Sequence, residues 1–290
     1  MGAIRKLRRS VGLDEGAFQA FDAEFDGLDE SPEAAPVADV IAPERSESNL
    51  RSSGDSSIRD SLLAGCRRAN WVLDPQMTVF FHGGEHVGGA EEFRSLRSHL
   101  YRARKKQSLK SVLVASALSG EGRSFVAVNL AQALALQAGC RVLLIDADLR
   151  NPRLHSALGT AAEPGFSDYL LGEADELAVM QRGHADGFFL IPSGRPVGGQ
   201  TELVANGRLQ SLIEQVESLF DWIIVDSPPA ISVTDASLLA NSCDGVVLIV
   251  RSHSTPFDVV RKARERFREE SMVGVVLNKI VSKASPRVSF

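Results

Sequence analysis

No stretch of the 290 residues approaches the ~18–20 consecutive apolar positions needed to cross a bilayer. The opening Met1-Gly2-Ala3-Ile4-Arg5-Lys6 lacks the apolar run of a secretory leader, and Lys6 stands where a myristoylation pattern needs Ser or Thr. Cysteine is scarce. Cys66, Cys140 and Cys243 are odd in number and have no metal-ligand spacing, which points to free thiols in a reducing cytoplasm. The histidines (82, 86, 99, 155, 184 and 253) lack such spacing too, so no His-based metal site is expected. Net positive charge is also missing: the chain carries −5, which argues against a nucleic-acid partner. The basic runs Arg102–Lys106 and Arg261–Arg264 read as solvated helix faces. Tyrosine is limited to Tyr101 and Tyr169.

The chain that remains is unevenly composed. A short basic start (Arg5, Lys6, Arg8, Arg9) leads into an acidic stretch bearing Ala, Pro and Ser, which ends near Ser56-Ser57. This segment offers too little apolar surface to offset the entropy of ordering it. Residues 1–60 are therefore expected to be disordered, with a transient helix near 16–25. Residues 61–89 read as a linker, with a helix over 58–69 and a short strand over 77–81. From Gly89 the pattern sharpens. Glu91–Lys106 places Phe93, Leu96 and Leu100 on one helical face. Short Val/Ile-rich runs follow at 111–116, 142–146, 188–192, 222–226, 245–250 and 273–278. Helical stretches lie at 123–138, 203–219, 234–240 and 256–269. Continuous apolar strands separated by helices predict an α/β fold, a doubly wound and mostly parallel sheet with helices on both faces. This domain spans residues 90–280, followed by a short tail over 281–290.

Three strand ends carry the chemistry. After the first strand comes Ser119-Gly120-Glu121-Gly122-Arg123-Ser124, a glycine loop that opens a helix. Small residues let backbone N–H groups close around phosphates, and the helix adds its positive dipole end. A hydroxyl at Ser124 is placed where a P-loop ligates Mg²⁺. The strict P-loop pattern fails twice, because Ala117 replaces its first Gly and Arg123 its Lys. The second strand ends in Asp146-Ala147-Asp148-Leu149-Arg150 and a third in Asp226-Ser227-Pro228-Pro229. Carboxylates there face the crevice in which open α/β sheets bind ligands, and the last has the form of a Walker B aspartate.

In order and wording, these motifs resemble the bacterial protein-tyrosine kinases of capsule and exopolysaccharide synthesis, a branch of the MinD/ParA-like P-loop ATPases. The resemblance covers roughly residues 90–280. It implies that Ser119, Gly120, Glu121, Gly122, Arg123, Ser124 and Phe125 bind ATP. Ser124, Asp146 and Asp226 would hold Mg²⁺, and Asn278, in Val276-Leu277-Asn278-Lys279, would read the adenine. Arg123, Asp146 and Asp148 would be the catalytic set, with Asp146 or Asp148 accepting the proton of an incoming tyrosine hydroxyl. Glu91, Arg94 and Arg97 match the family's E-x-x-R-x-x-R helix, which joins subunits into a ring, so a homo-oligomer is implied. The implied function is a cytoplasmic kinase regulating polysaccharide polymerisation and export, held at the inner membrane by a co-polymerase or activator partner.

The sequence departs from the family at Arg123, a planar fork where a slim Lys is usual. It departs again at Phe125, a bulky residue where Thr is common, and in lacking a C-terminal tyrosine cluster. These departures keep open a nucleotide-binding adaptor with weak or no kinase activity. A MinD- or ParA-type regulatory ATPase is a further alternative, against which stands Leu118 at the position of that group's second Lys.

Overall fold

Six apolar runs form the centre of an eight-stranded sheet. In chain order the strands are β1 (Arg67–Arg68), β2 (Ser111–Ser116), β3 (Val142–Asp146), β4 (Gln181–Arg182), β5 (Phe188–Ile191), β6 (Trp222–Asp226), β7 (Gly245–Arg251) and β8 (Met272–Asn278). The helices are α1 (Ala90–Arg104), α2 (Arg123–Ala135), α3 (Leu154–Ala157), α4 (Phe166–Leu171), α5 (Gln200–Ala205), α6 (Arg208–Val216), α7 (Asp235–Ala240) and α8 (Phe257–Arg264). The computed structural model describes residues 59, 61–80, 89–183 and 187–279, all within the compact unit Arg51–Phe290. The expectations for residues 1–58 and for the tail 281–290 lie outside the described residues.

The strand order is β1-β4-β5-β3-β6-β2-β7-β8. Every adjacent pair is parallel except β4–β5, which is antiparallel. β2 lies between β6 and β7, so the glycine loop leaves the middle of the sheet. Alternation along β2 shows how both faces are covered. Leu113 and Ala115 enter one apolar cluster, which α4, α6, α7 and α8 close with Phe166, Leu212, Leu239 and Ala263. Val112 and Val114 enter the other, closed by Phe93 and Leu100 of α1 and Val126, Leu130 and Leu134 of α2. α2 is buried along nearly its whole length, between α1 and the sheet.

The structure corrects several expectations. Residues 67–68 form an edge strand beside β4 rather than the end of a helix, and the helical part of that segment covers residues 61–63 among those described. Residues 77–80 are turn and irregular backbone, not a strand. Asn129 of α2 explains their path: its amide donates to Met77 O at 2.9 Å, and its oxygen accepts from Val79 N at 2.7 Å. Asp74 N also donates to Ala157 O at 2.9 Å, so residues 74–79 pack against the domain. The single helix expected over 203–219 is two, α5 and α6, broken where Gly207 adopts a φ of 77°. The short strand β4 and helices α3 and α4 were not anticipated.

Candidate functional site

The site assembles at the carboxyl ends of β2, β3 and β6. Asp146 and Asp226 close adjacent strands and pair in register, which sets two fully buried carboxylates side by side. Asp148, two residues beyond Asp146, is 3% exposed. The loop Leu118–Gly122 crosses above them and starts α2.

The loop is held from outside by its own side chains. Glu121 is 2% exposed. Its carboxylate accepts from Leu118 N at 2.7 Å, from Arg251 N at 3.3 Å and from the Thr255 hydroxyl, which ties the loop to the end of β7. Asn278 Nδ2 donates to Glu121 O at 2.8 Å, and Lys279 Nζ donates to Gly120 O at 3.0 Å. Gly122 sits at φ 94°, where an added Cβ would come within 2.0 Å of Asn278 Nδ2, so only glycine fits this approach. With the carbonyls of Gly120 and Glu121 bound outward, no protein group among the described residues accepts from the N–H groups of Gly120, Glu121, Gly122, Arg123 or Ser124. Five free donors at a helix start form a nest for an anion.

Arg123 does not point into this nest. Its side chain, 9% exposed, turns down among the carboxylates. Nε donates to Asp226 Oδ1 at 2.9 Å, Nη2 to Asp148 Oδ2 at 2.6 Å and Nη1 to Ser116 Oγ at 3.1 Å. The Arg123 N–H belongs to the nest, while its side chain, long and with a forked head, reaches the negative charge beneath the loop. The ring of Phe125 packs on Phe93 of α1 with centroids 5.9 Å apart. Glu121 and Asn278 lie at the loop as anticipated, but their side chains brace it.

Burial dominates the acidity of the strand-end carboxylates. It pushes Asp146 well above the ordinary carboxylate range, helped by the charges of Asp226 and Asp148 and opposed by the Leu154 and Arg153 N–H groups that donate to Asp146 Oδ2. Asp226 is raised by burial, against the pull of Arg123. Asp146 Oδ1 and Asp226 Oδ2 are buried without a hydrogen-bond partner. Two orphaned acceptors beside a serine hydroxyl suit a hard divalent cation completed by phosphate oxygens and water. Among the described residues no group of three or more His, Cys, Asp or Glu is arranged to hold a metal.

The motif's last residue, Arg150, had no expected role. It donates from Nε to Asp235 Oδ2 at 2.9 Å and from Nη2 to Thr201 Oγ1 at 2.8 Å, so it ties the Asp148 loop to α5 and α7. Arg94 pairs with Glu91 on the surface of α1, whereas Arg97 Nη1 reaches back to Ala133 O at 2.7 Å and anchors α1 on α2.

The ParA family, described as NUBPL iron-transfer P-loop NTPase, matches residues 108–284. The tyrosine-protein kinase CpsD of Streptococcus agalactiae serotype III is 33% identical over 193 residues, 66% of this chain and 82% of that protein. The chain belongs to the bacterial tyrosine-protein kinase family of P-loop NTPases. The tyrosine-protein kinase YwqD of Bacillus subtilis is likewise 33% identical, over 68% of this chain and 84% of its own. Among solved structures, the kinase domain of the Escherichia coli tyrosine kinase ETK superposes with a TM-score of 0.64 at 30% identity, covering 69% of this chain and 79% of that one. As a P-loop NTPase of this family the protein binds a nucleotide.

The raised Asp146 gives a stability prediction whose sign is opposite to the usual carboxylate. Its proton is held more tightly in the folded state than in the unfolded one, so the ionised group opposes folding at neutral pH. That cost disappears as pH falls through the raised value. With chelator present, Asp146→Asn should stabilise the protein at pH 7.5. Its melting temperature should lie above that of wild type, because the buried charge is gone. The gap between wild type and variant should close on acidification. A variant that melts lower than wild type at pH 7.5 would refute the assignment.

Proposed function

We propose that the protein is a cytoplasmic kinase that transfers the γ-phosphoryl group of Mg-ATP to tyrosine and so regulates polymerisation and export of a capsular or extracellular polysaccharide. The observation that carries this reading is the free N–H nest lying directly over the paired carboxylates Asp146 and Asp226. Phosphoryl transfer requires positioning and charge neutralisation more than covalent chemistry, and this arrangement supplies both.

In this mechanism the N–H groups from Gly120 to Ser124 cradle the β- and γ-phosphates. Ser124 Oγ and Asp226 Oδ2 would hold Mg²⁺, with Asp146 in its shell; the ion would neutralise charge on the phosphate oxygens. The tyrosine oxygen attacks the γ-phosphorus, the bond to the bridging oxygen breaks, and ADP leaves. Of the two candidate proton acceptors, Asp148 already uses both oxygens, on Arg123 and on Asn151 N. Asp146 Oδ1 has no protein partner and would meet Mg²⁺ only through water, so it is the proton acceptor. Asn278, already at the loop, would turn its remaining amide oxygen to the adenine.

Neither of the chain's two tyrosines is presented for this reaction. Tyr169 is 3% exposed, and Tyr101 stacks edge-on against Trp222 at 5.4 Å with its hydroxyl at Cys140. The acceptor is then neither Tyr101 nor Tyr169. No described helix is long and apolar enough to cross a membrane, and recruitment would come through a membrane-bound polysaccharide co-polymerase that also activates the kinase.

The exposed Glu91–Arg94 pair on α1 would form the contact between copies. Exposed pairs contribute only ~0–1 kcal/mol each, so a multi-copy assembly relies on repetition. Light scattering should show Arg94→Ala lowering the particle mass; an unchanged mass removes α1 from the interface. Catalysis is tested with γ-labelled ATP, Mg²⁺, a tyrosine substrate and the activating partner in single-turnover format. Label is expected on tyrosine, and Arg123→Lys is expected to raise the rate at least about tenfold, or ~1.4 kcal/mol of barrier, because a slim ammonium can reach the phosphates. Bound nucleotide with no transfer in either protein would favour a nucleotide-binding adaptor, for which the buried Arg123 is the specific observation.

A further inference from the structure

Arg123 stands among three aspartates, Asp146, Asp148 and Asp226, and is the one cation hydrogen-bonded to their side chains among the described residues. Its guanidinium is charged at every physiological pH and presents a rigid fork of donors. The fork spans two carboxylates at once, at 2.9 Å on Asp226 and 2.6 Å on Asp148, with Ser116 taking a third donor. Side-chain freedom is small, because the group is 9% exposed. Asp226 is thus shared: Oδ1 is held by Arg123, and Oδ2 is the oxygen left for a metal.

Two cations on one carboxylate repel each other strongly where water is excluded. A guanidinium on Oδ1 also draws negative charge away from Oδ2. Mg²⁺ gives up hydration water reluctantly and needs the full charge of a few ligands to do so. Arg123 therefore weakens the carboxylate on which the metal depends.

We propose that Arg123 is a tethered counter-ion that competes with the divalent metal for Asp226. It holds Asp148 and Asp226 together without metal, lowers the site's affinity for free metal, and leaves Asp226 when metal and nucleotide enter together. The inference rests on the reading of Asp226 as a metal carboxylate given above. It makes Arg123 the residue that sets metal affinity, separately from any part in phosphoryl transfer. A nucleotide's phosphates would favour the exchange twice, by adding oxygen ligands for the metal and by offering the released guanidinium a new anionic partner in the nest.

The experiment uses the full chain and Mn²⁺ alone as the probe, with free ion counted by electron paramagnetic resonance. Arg123→Gln removes the charge but keeps polar groups in the pocket. It should tighten Mn²⁺ binding at least ~10-fold, within the usual range for coupling between two sites. Arg123→Lys, which keeps the charge but lacks the rigid fork, should lie between wild type and Arg123→Gln. Unchanged or weaker Mn²⁺ binding in Arg123→Gln would overturn the proposal, since a purely structural arginine predicts no gain. A second readout needs no altered fold: the Nε–H resonance of Arg123 in the wild-type protein, assigned by its loss in Arg123→Lys. It should shift on adding Mg²⁺ with ADP, and stay in place with ADP and chelator. A resonance that stays in place with both would overturn the proposal even if Arg123→Gln fails to fold. Failure of the underlying reading looks different. If Mn²⁺ binds to none of the three proteins, with or without ADP, then Asp226 is not a metal carboxylate and both readings fall; binding that is indifferent to Arg123 removes the competition alone.

Discussion

Three carboxylates buried at neighbouring strand ends need a cation. Asp146 and Asp226 are brought together by strand register, and Asp148 follows two residues after the first. Nothing in the backbone path of β3 and β6 can relieve their mutual repulsion, so the offset must come from a side chain or a ligand. Arg123 supplies part of it from the first turn of α2, at the end of the glycine loop. One guanidinium against three carboxylates leaves two oxygens without partners, and those oxygens define where further positive charge is favoured.

The loop above depends on the same economy of partners. Its side chains and carbonyls are committed outward: Glu121 to β7 and Thr255, Gly120 O to Lys279, Glu121 O to Asn278. That commitment leaves its N–H groups unshared and facing one space. Asn278 closes β8 and Arg251 closes β7, so the sheet itself fixes the loop's height over the carboxylates. Arg150 performs the matching task on the other side by fastening the Asp148 turn to α5 and α7. Fold and site are in this sense one structure, with strand ends providing both the reactive groups and the braces.

Much of this was legible in the amino-acid order, for physical reasons. Strands covered on both faces must be continuously apolar, and β2, β3, β5, β6 and β7 were readable as such runs, as was the more exposed edge strand β8, their ends within a residue of the observed bounds. Glycine spacing located the loop, and aspartates ending apolar runs located the carboxylates. Two-residue strands such as β1 and β4 have no periodicity to detect, and Asn129 fixes residues 77–79 through hydrogen bonds some fifty positions away in sequence. Gly207 could have signalled the break between α5 and α6. The direction of Arg123 was not legible at all. Sequence gives the charge of a long side chain, but whether it points up to phosphates or down to aspartates is decided by the depth of the carboxylates beneath it.

The central claim is that the unshared N–H groups of residues 120–124, over Asp146 and Asp226, bind the phosphates of a nucleotide. A calorimetric titration of the full chain with ATP, in Mg²⁺ and again in chelator, tests this most directly when paired with Gly122→Val, whose side chain would enter the contact with Asn278. The account predicts one saturable site per chain, tighter with Mg²⁺, and at least ~10-fold weaker binding in the folded variant, a loss of 1.4 kcal/mol or more. Saturable binding that is indifferent to both Mg²⁺ and Gly122→Val, or no binding at all, would contradict it.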